Sequence, residues 1–383
     1  MAYNALSKGD IKMKKRIVAL VLSLALCGLT ACAGDKPAAE EKLQTESTET
    51  VDDSSKEETA EAEPVIEEPA AEEPEDAEPA EEEADETEVR VGAMSGPTAM
   101  SMVKIMDDAE NGNTTVNYMF SELMTDASAF VAPLTKGELD IACIPSNLAS
   151  VIYNKTEGGI EVLATCNLGV LNVVERGESI NSISDLSGKT VYMTGQGAVP
   201  EYTVRYLVSQ SGLDFDKDLS VTWCADTTEA LSYINADENA VAVLPQPFVT
   251  AACAQVEGLR VALDLNSEWD SLDNGCNIIT GVVVARKEFA DEHPQIIRDF
   301  LKDYEASIEF AKTDAEAAAA LIEKYGIVAK AAIAQKALPG CNLSFKSGNE
   351  MKETLSGYLG VLFEQNPASV GGSLPADDFY YTE

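Results

Sequence analysis

From Val89 onward the apolar residues switch repeatedly between a period of two and a period near 3.6. In VRVGAM, residues 89–94, valines alternate with Arg90 and Gly92 as in a strand. Ala99, Met102, Val103 and Met106 then fall at i, i+3, i+4 and i+7, one face of a helix. The pattern continues with a strand TTVNYMF, a helix DASAFVAPLTKGELD awkwardly carrying Pro133, a strand IACIP, and a helix LASVIYNK capped by Ser146-Asn147. After the strand-like pair VLATC and VLNVVE a second series follows: strand KTVYMT, loop GQGAV, helix PEYTVRYLVSQSG, strand SVTWCAD, helix TTEALSYINAD, strand AVAVLP and helix FVTAACAQV. Each series is too short for a large domain, so the pattern predicts two α/β lobes of similar plan. RVALDL and NIITGVVVARKE read as returning strands. The helices FADEHPQIIRDFLKDYEASIEFAK, DAEAAAALIEKYG and GNEMKETLSGYLGVLFEQ come next, and SLPADDFYYTE is irregular. The last helix is expected to pack back on the first lobe. The lobes would then comprise residues 89–166 with 278–383 and residues 167–277, joined by two crossings that form a hinge. No repeat of 20 to 50 residues is visible.

The first 88 residues follow different rules. Lys12, Lys14, Lys15 and Arg16 precede the apolar run IVALVLSLALCGLT and then Ala31-Cys32, the layout of a secretory signal over residues 1–31, with Met1 or Met13 as the start. Leu29-Thr30-Ala31-Cys32 resembles the lipobox of bacterial lipoproteins, which implies a lipid on the Cys32 thiol and a membrane anchor on the extracytoplasmic face. Residues 32–88 hold many acids against Lys36, Lys42 and Lys56 and almost no large apolar side chain. Such a segment cannot bury enough surface to offset chain entropy, so a disordered acidic tether is expected. The formal net charge of −39 divides about evenly between this tether and the rest, which argues against a nucleic-acid partner.

Six cysteines remain in the region expected to fold: Cys143, Cys166, Cys224, Cys253, Cys276 and Cys341, none at a metal-binding spacing. The first three sit in strand-like runs as small core residues; Cys276 and Cys341 read as the least core-like pair, with connectivity open.

The chemistry concentrates where strands end. Ser95-Gly96-Pro97-Thr98 turns a strand into a helix, with Pro97 at the first helical position and Gly96 free to approach a ligand. A junction of this kind presents unpaired N–H groups and recurs at Ser146-Asn147 and at Gly195-Gln196-Gly197-Ala198, with Gln246 adding an amide from Leu244-Pro245-Gln246-Pro247. In open α/β sheets ligands lie at these carboxyl ends.

VGAMSGPTAMSMVKIM, KGELDIACIPSNLASVIYNK, SISDLSGKTVYMTGQGAVPEYTVRYL, NIITGVVVARKEFADEHPQIIRDFL and PASVGGSLPADDFYY, taken in order, resemble the substrate-binding proteins of ABC importers. The nearest branch is that of nitrate, sulfonate and taurine binding and of thiamine-pyrimidine-precursor binding. The resemblance implies a type II periplasmic-binding fold, α/β with two mixed-sheet lobes closing on a small solute, and a membrane permease and ATPase as partners of a monomer. Carried over by position, Ser95, Gly96, Pro97 and Thr98 match the first ligand loop, Ser146 and Asn147 the second, and Gly195, Gln196, Gly197 and Ala198 the facing loop. No Arg or Lys lies in these loops, so a guanidinium grip on a sulfonate is not evident. A neutral or zwitterionic organic ligand is as tenable as an anion.

Some relatives in the thiamine-precursor branch are enzymes that consume their own histidine, but this chain has no matching histidine near a cysteine-rich motif. Its one histidine, His293, leaves no Ser or Cys triad, and HExxH, P-loop and calcium-loop spacings are missing. No enzyme activity, cofactor or metal is expected. The rival reading is a surface sensor or scaffold lipoprotein that uses the same two lobes for signalling.

Overall fold

The computed structural model describes residues 87–382. The signal segment, Cys32 and nearly all of the expected tether lie outside the described residues.

Among the described residues ten strands form two mixed five-stranded sheets with helices on their faces. The first contains β1 (Glu88–Ala93), β2 (Asn117–Phe120), β3 (Ile141–Pro145), β4 (Ile160–Asn167) and β10 (Gly281–Arg286), in the order β2-β1-β3-β10-β4. The second contains β5 (Leu171–Arg176), β6 (Thr190–Met193), β7 (Ser220–Trp223), β8 (Val241–Pro245) and β9 (Leu259–Asp264), in the order β7-β6-β8-β5-β9. The plans coincide. In each, three strands run parallel and the fourth in the row, β10 or β5, is antiparallel to both its neighbours. The central strands β3, β8 and β10 are apolar almost throughout because helices cover both faces of each sheet.

Several elements depart from the periodic reading, each for a local reason. The helix expected from Ala99 to Met106 is two helices, Pro97–Met100 and Val103–Glu110. Ser307 stands in the break: its hydroxyl donates to the Ser101 carbonyl at 2.7 Å and accepts from the Lys104 N–H at 3.2 Å, inserting a side chain into the helical ladder. Pro133 causes no kink, since a 3₁₀ turn covers Ala127–Phe130 and the α-helix starts only at Val131, leaving Pro133 in its first turn. The long helix around His293 divides before Pro294 into Lys287–Glu292 and Pro294–Thr313. The strand read from Asn277 begins only at Gly281, and the short helix Ala331–Ala337 had no periodic signal.

Each sheet anchors a buried carboxylate at the end remote from the junction loops. Asp140, 1% exposed, accepts from Arg90 Nε and Nη2 at 2.7 and 2.6 Å and from Arg286 Nη2 at 3.0 Å. Glu175, 3% exposed, accepts from Arg260 Nη2 at 2.5 Å, the Ser179 hydroxyl at 2.7 Å and the Ile180 N–H at 3.0 Å.

The Gly348–Gln365 helix packs on the Ser146–Thr156 helix of the first sheet and also on the Val199–Gln210 helix of the second. Its Tyr358 ring meets Trp269 edge-on at 5.7 Å, and Trp269 also lies 4.4 Å from Tyr206. The six cysteines are free. Cys341 is fully buried against Met100, so it is a core residue, and Cys276 contacts Asn274 instead. The close pair is Cys143 and Cys166, whose sulfurs lie 2.8 Å apart over β10.

Candidate functional site

Strand direction decides which loops meet. Pro145, Gly281 and Asn167 lie in one row across β3, β10 and β4, so the carboxyl ends of β3 and β4 share an edge of the first sheet. Leu171 pairs with Pro245, which puts the start of β5 at the carboxyl end of β8. Only residues 168–170 separate β4 from β5. Both rims therefore adjoin the same crossing, and the Gln246 N–H donates to the Val170 carbonyl at 2.9 Å.

At the first loop, Met94 N–H donates to Cys143 O at 3.0 Å and Ser95 N–H to Met124 O at 2.8 Å, tying the end of β1 to β3 and to the segment that follows β2. Gly96 has φ 108° and ψ −150°, a conformation open essentially to glycine alone. Pro97 follows as the first helical residue, and the Thr98 hydroxyl donates back to Met94 O at 2.5 Å. In the neighbouring loop Ser146 is fully buried, its hydroxyl donating to Ile279 O at 2.5 Å, while Asn147 Nδ2 donates to Ser369 O at 3.2 Å. The side-chain donors of Thr98, Ser146 and Asn147 thus serve the protein's own carbonyls. Ser95 also borders a cavity of about 530 Å³ lined by Met106, Phe120, Leu123 and Tyr325, with the exposed Glu122 its only charged residue.

In the second sheet, β6 leads into a turn in which Ala198 N–H donates to Gly195 O at 3.1 Å, with Gly195 at φ 82° and Gly197 at φ 73°. A Cβ on Gly195 would stand 2.7 Å from Pro200, whereas one on Gly197 would meet nothing within 4 Å. Gln196 lies between them in the turn. Gln246 turns its Oε1 to the Thr250 hydroxyl at 2.8 Å. A Cβ on Gly340, in the turn Leu338–Cys341 that follows the Ala331–Ala337 helix, would lie 3.1 Å from Gln246 Nε2. Ser95, Gly96, Pro97 and Thr98 thus stand beside Ser146 and Asn147 on one rim, and Gly195 to Ala198 beside Gln246 on the other.

Two rim residues escaped the sequence reading. Asn167, 1% exposed, donates from Nδ2 to Leu168 O at 3.0 Å, while its Oδ1 is buried without a hydrogen-bond partner. Gly281 makes room for it: a Cβ there would stand 2.5 Å from Asn167 Oδ1 and 2.8 Å from Thr98 Cγ2. Glu201, 8% exposed in the first turn of the Val199–Gln210 helix, accepts the Gly197 N–H at 2.7 Å through Oε2 and Arg205 Nε at 2.6 Å through Oε1. Arg205 also grips Asp216 at 2.8 and 2.9 Å, and these carboxylates raise its pKa further. A glutamate one residue after Pro200 was the available signal. Elsewhere, His293 joins two helices with its ring 4.9 Å from Phe289. Among the described residues no helix is long and apolar enough to cross a membrane.

Comparison with known proteins agrees with this architecture. Residues 162–318 match the family model described as NMT1/THI5 like. No curated protein matches the chain. An ABC transporter protein from Parabacteroides distasonis is 25% identical with a TM-score of 0.64, over 77% of this chain and 99% of that one. The periplasmic aliphatic sulphonate binding protein SsuA from Escherichia coli is 16% identical with a TM-score of 0.62, covering 77% and 92%. The ligand-binding component of an ABC-type import system from Staphylococcus aureus, with zinc bound, is 14% identical with a TM-score of 0.58, covering 77% and 96%. Family model and fold together show the resemblance read from the sequence: this chain has the two-sheet α/β fold of periplasmic binding proteins and is similar to the ABC-transporter members of that fold.

Proposed function

We propose that the chain is an extracytoplasmic solute-binding lipoprotein of an ABC importer. Anchored through lipid on Cys32, it captures a small solute between residues 89–166 with 278–383 on one side and residues 167–277 on the other. It then presents the closed form, as a monomer, to a membrane permease whose ATPase does the chemical work. The observation that carries this reading is the meeting of both rims at the 168–170 crossing, where Ser95 to Thr98, Ser146 and Asn147 adjoin the side that bears Gly195 to Ala198 and Gln246. A solute touching both rims only when they close would bias closure, and this difference in affinity is the whole of the signal.

The test is native mass spectrometry of the full chain purified in detergent, followed by a thermal-shift panel of small solutes. A co-purified small mass, or a melting temperature that rises with solute concentration, is expected, because anything that binds only the native state stabilises it. Absence of both across sulfonates, nitrate, pyrimidines, amines and amino acids would remove the proposal.

A further inference from the structure

Within that binding reading, we infer that Glu201 sets the charge class of the solute: the cleft rejects anions and takes a small molecule that carries a protonated nitrogen. A glycine loop before a helix receives an anion through its free N–H groups. Here the Gly197 N–H is already held at 2.7 Å by the Glu201 carboxylate, so the position an incoming anion would occupy is filled by the chain's own.

The surrounding charges do not reverse the sign. Arg205 is shared between Glu201 and Asp216, leaving two carboxylates against one guanidinium, and no lysine or arginine lies in any of the four loops. A second observation on the opposite rim points the same way. Asn167 Oδ1 is a buried acceptor without a donor, and the side-chain donors of Thr98, Ser146 and Asn147 beside it are spent on main-chain carbonyls. A ligand that only accepts hydrogen bonds leaves an unpaired oxygen on the first rim and faces a carboxylate on the second, whereas a cationic donor such as an ammonium or amidinium suits the chemistry of each rim.

The experiment compares the full chain with Glu201→Gln and Asn167→Leu, titrating putrescine and agmatine against methanesulfonate and nitrate by thermal shift and calorimetry. Glutamine keeps an acceptor for Gly197 while removing the charge. We expect the amines to stabilise the natural chain, their affinity to fall about tenfold or more in Glu201→Gln, and the anions to gain by a similar factor, as a unit charge a few ångströms away in a partly screened site dictates. In Asn167→Leu we expect amine affinity to fall while the empty protein's melting temperature changes little, since the loss of the Nδ2 donor to Leu168 O is offset by the removal of an unpartnered buried oxygen. A natural chain that prefers the anions, or amine affinities equal in all three proteins, overturns the inference and leaves the solute-binding reading standing. If none of the four probes stabilises any of the three proteins, this inference fails, while the binding reading falls only if the wider solute panel is silent as well.

Discussion

The two sheets share one strand order but hold their buried carboxylates differently. Asp140 is gripped by two arginines from flanking strands, whereas Glu175 has one arginine and otherwise a hydroxyl and main-chain N–H groups of its own following turn. The first arrangement ties β1, β3 and β10 together across the sheet; the second mainly closes a local loop beside β9. The rims differ as well, since the first sheet's loops consume their donors internally while the second sheet's loop is occupied by a charged side chain. A common topology therefore constrains where the polar groups stand but not the chemistry they carry.

The sharpest way to break the comparison is to remove each carboxylate. Asp140→Ala should cost about 2–4 kcal/mol, because it removes the buried acceptor of two guanidinium groups at once, although Arg90 is partly exposed and Arg286 keeps Glu288. Glu175→Ala should cost about 1–3 kcal/mol, since Arg260 keeps carbonyl partners at Gly177 and Ile180. Urea melts of the two variants measure both, and equal losses would show that the second grip is as structural as the first.

Acid sharpens the same contrast. For Asp140, burial alone would raise the pKa, but the hydrogen bonds from Arg90 and Arg286 hold it below the ordinary 3.8. For Glu175, burial is likewise outweighed by Ser179, Ile180 and Arg260, which hold it below 4.5. A carboxylate depressed in the folded state contributes stability that is fully present above its ordinary value and is lost as pH falls through the native one. Stability should therefore hold down to the ordinary carboxylate range and then drop, beginning at slightly higher pH for the Glu175 contribution. Asp140→Asn should flatten the lower part of the curve and Glu175→Gln the upper part; an unchanged profile in both variants would refute the assignment.

Effects no larger than that of Glu175→Ala are expected at the rim glycines, the smallest at Gly197. Gly96→Ala forces a side chain into φ 108°, ψ −150° and should cost roughly 1–3 kcal/mol. Gly197→Ala, with open space around its Cβ and φ 73°, should cost only about 1 kcal/mol. Thermal melts that rank them in the opposite order would mean that the second loop is the more tightly specified.

Much of this arrangement was legible in the chain. The alternation of short apolar runs with helical stripes marked the two sheets, and Ser95-Gly96-Pro97 and Gly195-Gln196-Gly197 announced strand-to-helix turns through residues whose backbone preferences are local. What stayed hidden was non-local. Ser307, 206 positions from Ser101, breaks the first helix, and no pattern near Ala99 reports it. Glu201 looked like one more acid in an acidic chain until its carboxylate was seen on the Gly197 N–H, and the unpartnered Asn167 oxygen depends on three strands arriving in register. Cys143 and Cys166 read as separate core residues because their meeting is made over β10, a strand that arrives more than a hundred residues later.

The setting of Trp269 has an optical consequence. The chain has two tryptophans, and this one is fully buried in contact with Tyr206, on the helix that follows the Gly195 loop, and with Tyr358, on the helix that packs against a helix of each sheet. Tyr206 and Trp269 both belong to helices of the second sheet, so a rotation of one sheet against the other would move Tyr358 relative to this pair. If the sheets move against each other as proposed, emission from this indole would report the motion without an attached dye.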